Sequence, residues 1–324
     1  MMGHALLHVE NLRTHFLTRA GVVKAVEGVS FTLDRGEILG LVGESGSGKS
    51  VTGFPLIGLV DPPGRIVGGS IRFDGTELTA LPPGGMRALR GRRIAMVFQD
   101  PAATLNPVLT IGQQMALAVQ AHERVPERAA RDRAAGTLAR VGIPESAARL
   151  DAYPHEFSGG MRQRVAIATA LLHGPDLIIA DEPTTALDVS IQAQILAEMK
   201  QLAKQSGTAL IWISHDLATV SSLADRVLVM YAGRIVESGP VASVLRAPIH
   251  PYTRGLLDSL PAAARPGKRL NQIPGSTPSL LSLPPGCPFA PRCPRADAVC
   301  ATDPPRVERQ DRLALCHHPL ADVS

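Results

Sequence analysis

The residues best equipped for chemistry form one eight-residue run, Gly43-Glu44-Ser45-Gly46-Ser47-Gly48-Lys49-Ser50. Its G-x-x-x-x-G-K-S spacing follows an apolar run and opens a stretch that reads as a helix. Glycines let successive backbone N–H groups converge on phosphate oxygens. Lys49 supplies a point charge for the terminal phosphates, and the Ser50 hydroxyl is a ligand for Mg²⁺. A chance Gly/Ser loop is the plain alternative, and the full spacing after a buried strand argues against it. The loop alone leaves kinase, GTPase, motor and transporter ATPase open. None of the three asparagines, Asn11, Asn106 and Asn271, is followed by lysine, so an Asn-Lys-x-Asp guanine reader is missing and guanine specificity is disfavoured.

Two further runs have phosphate chemistry in them. Leu177-Ile178-Ile179-Ala180 is apolar and ends in Asp181-Glu182. A carboxylate at the carboxyl end of a parallel strand sits on the rim where nucleotides bind, so Asp181 is expected to reach the Mg²⁺ shell and Glu182 to face an attacking water. A solvated strand end is the plain alternative. Ser158-Gly159-Gly160 stands before a helical run with Val165, Ala168, Leu171 and Leu172 on one face. Free N–H groups and the helix dipole favour an anion there, although an ordinary N-cap explains the same residues and, taken alone, explains them better.

Four cysteines, Cys287, Cys293, Cys300 and Cys316, lie in the last 38 residues with the spacing C-x5-C-x6-C-x15-C. In a reducing compartment such a group points to metal or cluster ligation before disulfides. A [4Fe–4S] cluster and a tetrahedral zinc site both use four thiolates; short C-x2-C knuckles, usual for zinc, do not occur here. His317 and His318 are possible competing ligands, with exposed tail histidines as the plainer reading.

The elements that must position these residues are legible in outline. Leu6–Val9 and Val29–Leu33 have strand patterning. The apolar runs 38–42, 177–180 and 209–213 lack polar alternation, as strands buried on both faces do, and 191–204 reads as a helix. The alternation predicts an α/β doubly wound core. Between Pro107 and Leu172 the chain is rich in Ala, Arg, Gln and Glu, which predicts a helical insert. From about Pro248, proline and glycine become frequent, and an irregular lobe in need of a staple is expected.

Across the 324 residues, 45% hydrophobic and 19% charged content excludes wholesale disorder, and the length suits one large domain with a smaller one. Lysine and arginine number 33 against 29 acids, a net charge of +4 that is too small and scattered for a nucleic-acid footprint. Aromatics at 3% are scarce for a surface that stacks bases. No apolar run approaches the roughly 18 residues of a membrane span, and the first ten residues lack the greasy stretch of a signal peptide. A cytosolic location is expected.

Taken together, Gly43–Ser50, Ser158-Gly159-Gly160, Leu177–Glu182, Ala186-Leu187-Asp188 and His215 resemble, in order and spacing, the Walker A, signature, Walker B, D-loop and H-loop of ABC-type ATPases. The resemblance covers roughly residues 5–260. It implies a P-loop NTPase fold of the ABC type, with an antiparallel β subdomain, a helical subdomain over about 104–172, and an extension over 261–324. It implies two such domains meeting head to tail, each ATP held between one partner's P-loop and the other's Ser158, Gly159 and Gly160. The implied ATP-binding set is Gly43 through Ser50, Thr52, Gln99, Asp181, Asp188 and His215. Glu182, His215 and Gln99 are the catalytic group, with Ser50, Gln99 and Asp181 at Mg²⁺. Phe16 is the nearest counterpart of the adenine-stacking aromatic, with a core phenylalanine as the plain reading. Met161 departs from the glutamine common in the signature.

The tail narrows the branch. His250-Pro251-Tyr252-Thr253-Arg254-Gly255-Leu256-Leu257, Ile273-Pro274-Gly275 and Cys287-Pro288-Phe289-Ala290-Pro291-Arg292-Cys293-Pro294 resemble the C-terminal extension of oligopeptide, dipeptide and nickel importer ATPases. The resemblance implies a subunit on the cytoplasmic face of a bacterial or archaeal cell membrane. Its implied partners are two permeases, a related second ATPase subunit and an extracytoplasmic binding protein. It also implies a structural [4Fe–4S] cluster on the four cysteines, with zinc as the alternative. Nickel is the alternative cargo. A soluble ABC ATPase acting on nucleic acid is the rival class, against which stand the single cassette and the missing heptads.

Overall fold

A computed structural model describes residues 5–184, 188–260 and 271–321, apart from the Ser190 side chain. The strands in chain order are β1 (Leu7–Thr18), β2 (Gly21–Leu33), β3 (Ile38–Val42), β4 (Gly64–Phe73), β5 (Thr76–Glu77), β6 (Ile94–Val97), β7 (Leu177–Asp181), β8 (Ala209–Ser214), β9 (Arg226–Tyr231), β10 (Arg234–Pro240), β11 (Arg306–Arg309) and β12 (Arg312–Leu315). The helices are α1 (Lys49–Gly53), α2 (Pro83–Leu89), α3 (Pro101–Thr104), α4 (Ile111–Gln120), α5 (Glu127–Arg140), α6 (Ser146–Arg149), α7 (Gly159–Leu171), α8 (Val189–Ser206), α9 (Leu217–Leu223), α10 (Val241–Arg246) and α11 (Pro251–Asp258). They divide between two compact units.

The first unit takes its described residues from 5–34, 38–79, 212–260 and 271–321. One of its sheets is four-stranded and antiparallel, in the order β2-β1-β4-β5. The β1–β2 hairpin pairs from Leu7↔Leu33 to Thr18↔Gly21, with register shifts at Val9/Leu12, Leu12/Arg13 and Thr14/His15, and extends well beyond the expected segments Leu6–Val9 and Val29–Leu33. The added length carries polar cross-strand partners where an apolar pattern would have announced it. Arg13 and His15 both pair with Glu27, at 3.4 and 2.8 Å.

In the same unit, β3 pairs in parallel with β9, and β9, β10, β12 and β11 continue as antiparallel neighbours. Every residue of β3 is buried, as an apolar strand in a parallel pair requires. The lobe expected to be irregular therefore contributes a regular hairpin, β11–β12, whose second strand adds to β10 at Glu237↔Ala314 and Ser238↔Leu313. Four-residue strands are too short for the pattern to stand out in a proline-rich stretch. The lobe expected from about Pro248 also begins with a regular helix, α11, and the remainder of its described residues is two short 3-10 turns, Ala290–Arg292 and Ala298–Ala301, and loops.

The second unit takes its described residues from 35–37, 80–184 and 188–211. Its strands β6 and β7 pair in parallel, from Ile94↔Leu177 to Val97↔Ala180. The stretch Pro107–Leu172, expected to be helical, holds α4 through α7, and the short α3 precedes it. Ile111, Met115 and Val119 of α4, Ala130, Ala134 and Leu138 of α5, and Val165 and Ala168 of α7 are buried at three- and four-residue spacing, so each helix turns one apolar stripe inward. Thr110 and Gln113 form a reciprocal capping box that fixes the start of α4. β8 belongs to both units, Ala209–Ile211 to the second and Trp212–Ser214 to the first.

Candidate nucleotide and metal sites

The loop between β3 and α1 has the backbone a phosphate cradle needs. Gly43 has φ 157 and Gly48 has φ 100, the latter being the N-cap of α1. A Cβ on Gly43 would lie 2.1 Å from the Met230 carbonyl oxygen, and one on Gly48 would lie 2.2 Å from that of Ala25. Only glycine fits at either position. Lys49, 5% exposed, donates from Nζ to the Gly43 and Glu44 carbonyls at 2.9 and 3.0 Å, so its charge is held within the loop it serves. Ser47 Oγ is buried with no protein partner. An orphaned hydroxyl beside a glycine-lined cradle is what a phosphate-binding loop provides, and the residues fit a nucleotide with Mg²⁺.

Thr52 is buried and its hydroxyl turns inward, donating to the Gly48 carbonyl at 3.0 Å. Phe16 is half-buried in β1, between Val23 of β2 and Gly64 of β4. His215 follows β8 and is exposed; the next residue, Asp216, caps α9 by accepting from the Ala218 N–H at 2.9 Å.

In the second unit, β7 ends on Asp181, which is buried, and Glu182 follows with φ 44. A non-glycine residue held in the left-handed region costs on the order of 1–3 kcal/mol and is typical of functional turns. Gln99, 83 residues earlier, donates from Nε2 to Glu182 Oε2 at 3.2 Å. These two expected site residues are thus brought together. Ser158 is exposed as the N-cap of α7 and accepts from the Met161 N–H at 3.3 Å. This is the ordinary cap geometry, and it leaves Gly159 and Gly160 at an accessible helix start. Asp188 is the exposed N-cap residue of α8 but its side chain makes no capping bond. Ala186 and Leu187 lie outside the described residues.

The four cysteines are unbridged, with Cys287, Cys300 and Cys316 buried and Cys293 half-buried. Burial pushes the Cys287 and Cys293 thiols up and takes Cys316 up to about 11, and neighbouring thiols add to each shift. Such thiols become thiolate ligands only when a cation displaces their protons. Four mutually influencing sulfurs therefore fit a thiolate-ligated centre. Among the described residues, the trio Asp297, Cys300 and His318 gathers its ligand atoms within 4.8 Å, whereas no three of the cysteine sulfurs do so. Zinc–sulfur bonds of about 2.3 Å bring tetrahedral sulfurs to about 3.8 Å of one another. No three of the thiols are gathered as closely as a Cys₄ zinc site requires.

The sequence reading missed one group. Arg292, Tyr252 and Thr277 hold Glu44 of the phosphate loop: Arg292 by a two-pronged ion pair at 2.6 and 3.0 Å, Tyr252 Oη by accepting the Glu44 N–H at 2.9 Å, and Thr277 by donating at 2.9 Å. Burial pushes the Glu44 carboxyl up, but the Arg292 and Thr277 hydrogen bonds with the Arg292 and Lys49 charges outweigh it and leave it below the usual range. An arginine next to a metal-candidate cysteine was the one available signal.

The comparisons agree with this geometry. Residues 26–185 match the ABC transporter family, and residues 236–300 match the oligopeptide/dipeptide transporter C-terminal region. The chain is 48% identical to the oligopeptide transport ATP-binding protein OppD of Escherichia coli, over 98% of this chain and 95% of that protein. It is 49% identical to the dipeptide transport ATP-binding protein DppD of Bacillus subtilis, over 91% of this chain and 88% of that one. A solved dimeric post-hydrolysis state of the ATP-binding cassette MJ0796, bound to ADP and Pi, is similar with a TM-score of 0.66 at 26% identity, over 72% of this chain and 98% of that chain. The chain belongs to the ABC transporter family of ATP-binding proteins and carries the C-terminal region of the oligopeptide/dipeptide branch. It is an ABC ATPase. Among the described residues, no helix is long and apolar enough to cross a membrane.

Proposed function

We propose that this chain hydrolyses ATP to drive import of dipeptides or oligopeptides, docked on the cytoplasmic face of a cell membrane. Its partners are two permeases, a second ATPase subunit of the same family and an extracytoplasmic binding protein. The observation that carries the reading is a glycine-built phosphate cradle, Gly43 to Ser50, on the same chain as an oligopeptide/dipeptide transporter C-terminal region. Support for the cargo comes from the names of the relatives, one an oligopeptide and one a dipeptide transport protein.

In this reading the loop amides and Lys49 bind the β- and γ-phosphates, and Phe16 stacks on the base. Ser50, Gln99 and Asp181 are the Mg²⁺ ligands, and Mg²⁺ when bound neutralises charge on the phosphates. Glu182 takes a proton from the attacking water, oriented by Gln99, and His215 holds the γ-phosphate geometry. Ser158, Gly159, Gly160 and Asp188 serve the nucleotide of a partner ATPase. The solved MJ0796 relative, dimeric with ADP and Pi, supports this division of labour. Residues 1–260 form the ATPase domain and 261–324 the extension.

Cys287, Cys293, Cys300 and Cys316 hold a [4Fe–4S] cluster that staples the proline-rich lobe. A zinc ion on Asp297, Cys300 and His318 is the second reading, favoured by the proximity of those ligand atoms. Two experiments test these assignments. Reconstituted with its permeases and binding protein in vesicles, the complex should accumulate labelled peptide only with ATP; accumulation of nickel and not peptide would overturn the cargo. Anaerobic purification should yield brown protein with about four irons and four sulfides per chain, and a colourless zinc-loaded product would support the second reading instead.

A further inference from the structure

The C-terminal lobe grips the phosphate loop at its second residue. Arg292 donates from Nη1 to Glu44 Oε2 at 2.6 Å and from Nη2 to Glu44 Oε1 at 3.0 Å, while its Nε donates to the Pro274 carbonyl at 2.8 Å. The guanidinium plane is thus fixed on two edges. Its side chain is 5% exposed and that of Glu44 27%, so the pair is largely shielded from water. Thr277 adds its hydroxyl to the same Glu44 oxygen at 2.9 Å. The main chain is held as well, because the Glu44 N–H donates to Tyr252 Oη.

Behind the clamp stands an aromatic block. Tyr231, Tyr252 and Phe289 have ring centroids 4.6 to 5.3 Å apart, and Arg292 lies 5.8 Å from the Tyr231 centroid. Tyr231 follows Met230, whose carbonyl bounds the cradle at Gly43. The Glu44 carbonyl is also one of the two acceptors of the Lys49 ammonium. One residue therefore joins the lobe's arginine, through its carboxylate, to the loop's lysine, through its carbonyl.

We propose that Arg292 is a positioning residue for the nucleotide: by fixing Glu44, it holds the loop backbone and Lys49 in the phosphate-accepting arrangement, so that ATP affinity depends on the docked C-terminal lobe. The proposal rests on reading Gly43–Ser50 as the ATP phosphate loop. A bidentate guanidinium–carboxylate pair is the interaction suited to this, because it fixes orientation as well as distance and a lysine cannot reproduce it.

The test uses the full chain, alone for equilibrium binding of a fluorescent ATP analogue with Mg²⁺ and in its complex for steady-state hydrolysis. Arg292→Gln should weaken nucleotide binding about tenfold or more and raise KM by more than it lowers kcat, while far-ultraviolet dichroism stays that of wild type. Arg292→Lys should fall between the two. Glu44→Gln, which is isosteric, is the second variant, and Glu44→Gln with Arg292→Gln should bind no more weakly than Arg292→Gln alone. Binding within twofold of wild type in Arg292→Gln, or in Glu44→Gln should the former fail to fold, would overturn the proposal, as would fully additive losses. Lys49→Ala separates the two levels of inference. If it binds nucleotide like wild type, the reading of the loop fails; if it alone abolishes binding, only the role of Arg292 fails.

Discussion

Gln99 and Glu182 are 83 residues apart in sequence, and the Gln99 amide donates to the Glu182 carboxylate across 3.2 Å. A carboxylate that accepts from a neutral amide loses rotational freedom, which suits the proton-accepting role proposed for Glu182. The strained φ of Glu182 fixes the direction in which that carboxylate leaves the end of β7.

Replacing Glu182 by Gln should therefore leave ATP binding near wild type and slow hydrolysis by about 100-fold to 10,000-fold. Turnover in the assembled complex, measured beside nucleotide affinity, checks this. Retained wild-type turnover would remove the proton-accepting role from Glu182.

Gly48→Ala should damage the phosphate loop itself. The new Cβ would sit 2.2 Å from the Ala25 carbonyl and 2.9 Å from the Met230 methyl, at a residue with φ 100. The expected cost is more than about 1 kcal/mol with loss of nucleotide affinity. A melting temperature and affinity equal to wild type would contradict the geometry.

His250 should make the fold acid-sensitive well above the carboxylate range. Burial takes its imidazole down to about 3, its Nδ1 accepts the Tyr252 N–H at 3.0 Å, and Phe289 packs beside it. Because the folded pKa lies below the unfolded one, stability is complete above pH 6.5. It is lost as pH falls towards 3, at up to about 1.4 kcal/mol per pH unit. Glu237, which accepts from the Ile249 and His250 N–H groups, is raised by burial above 4.5 and so gains stability as pH falls through its raised value, opposing His250 within the same range, so the comparison must be between variants. His250→Asn keeps a helix-capping acceptor and removes the titration. Urea midpoints at pH 7, 6 and 5 should fall more steeply for wild type than for the variant; parallel slopes would refute the assignment.

What the sequence disclosed follows from range. β3, β7 and β8 are visible because strands buried on both faces are apolar throughout, and the cradle is visible because eight consecutive residues encode it. α5 is visible through its alanines and arginines. The arginine clamp is not, since Arg292 finds Glu44 across 248 residues and no local pattern names that partner. The upper part of the β1–β2 hairpin escaped notice because Arg13, His15 and Glu27 put an ion pair and a hydrogen bond where apolar alternation would have marked the strands. Ser158 shows a further limit: its cap geometry satisfies a structural and a phosphate-binding reading alike, and only the company of the other motifs distinguishes them.

The small hairpin β11–β12 has a bearing on how the molecule behaves among its own copies. β12 pairs with β10 at Glu237 and Ser238, and the outermost described strand, β11, is four residues long and bears Arg306, Glu308 and Arg309. A version shortened to end at Asp258 would uncover β10 as a raw template for pairing and should self-associate in light scattering. A charged, brief terminal strand is a poor template for polymerising along that side.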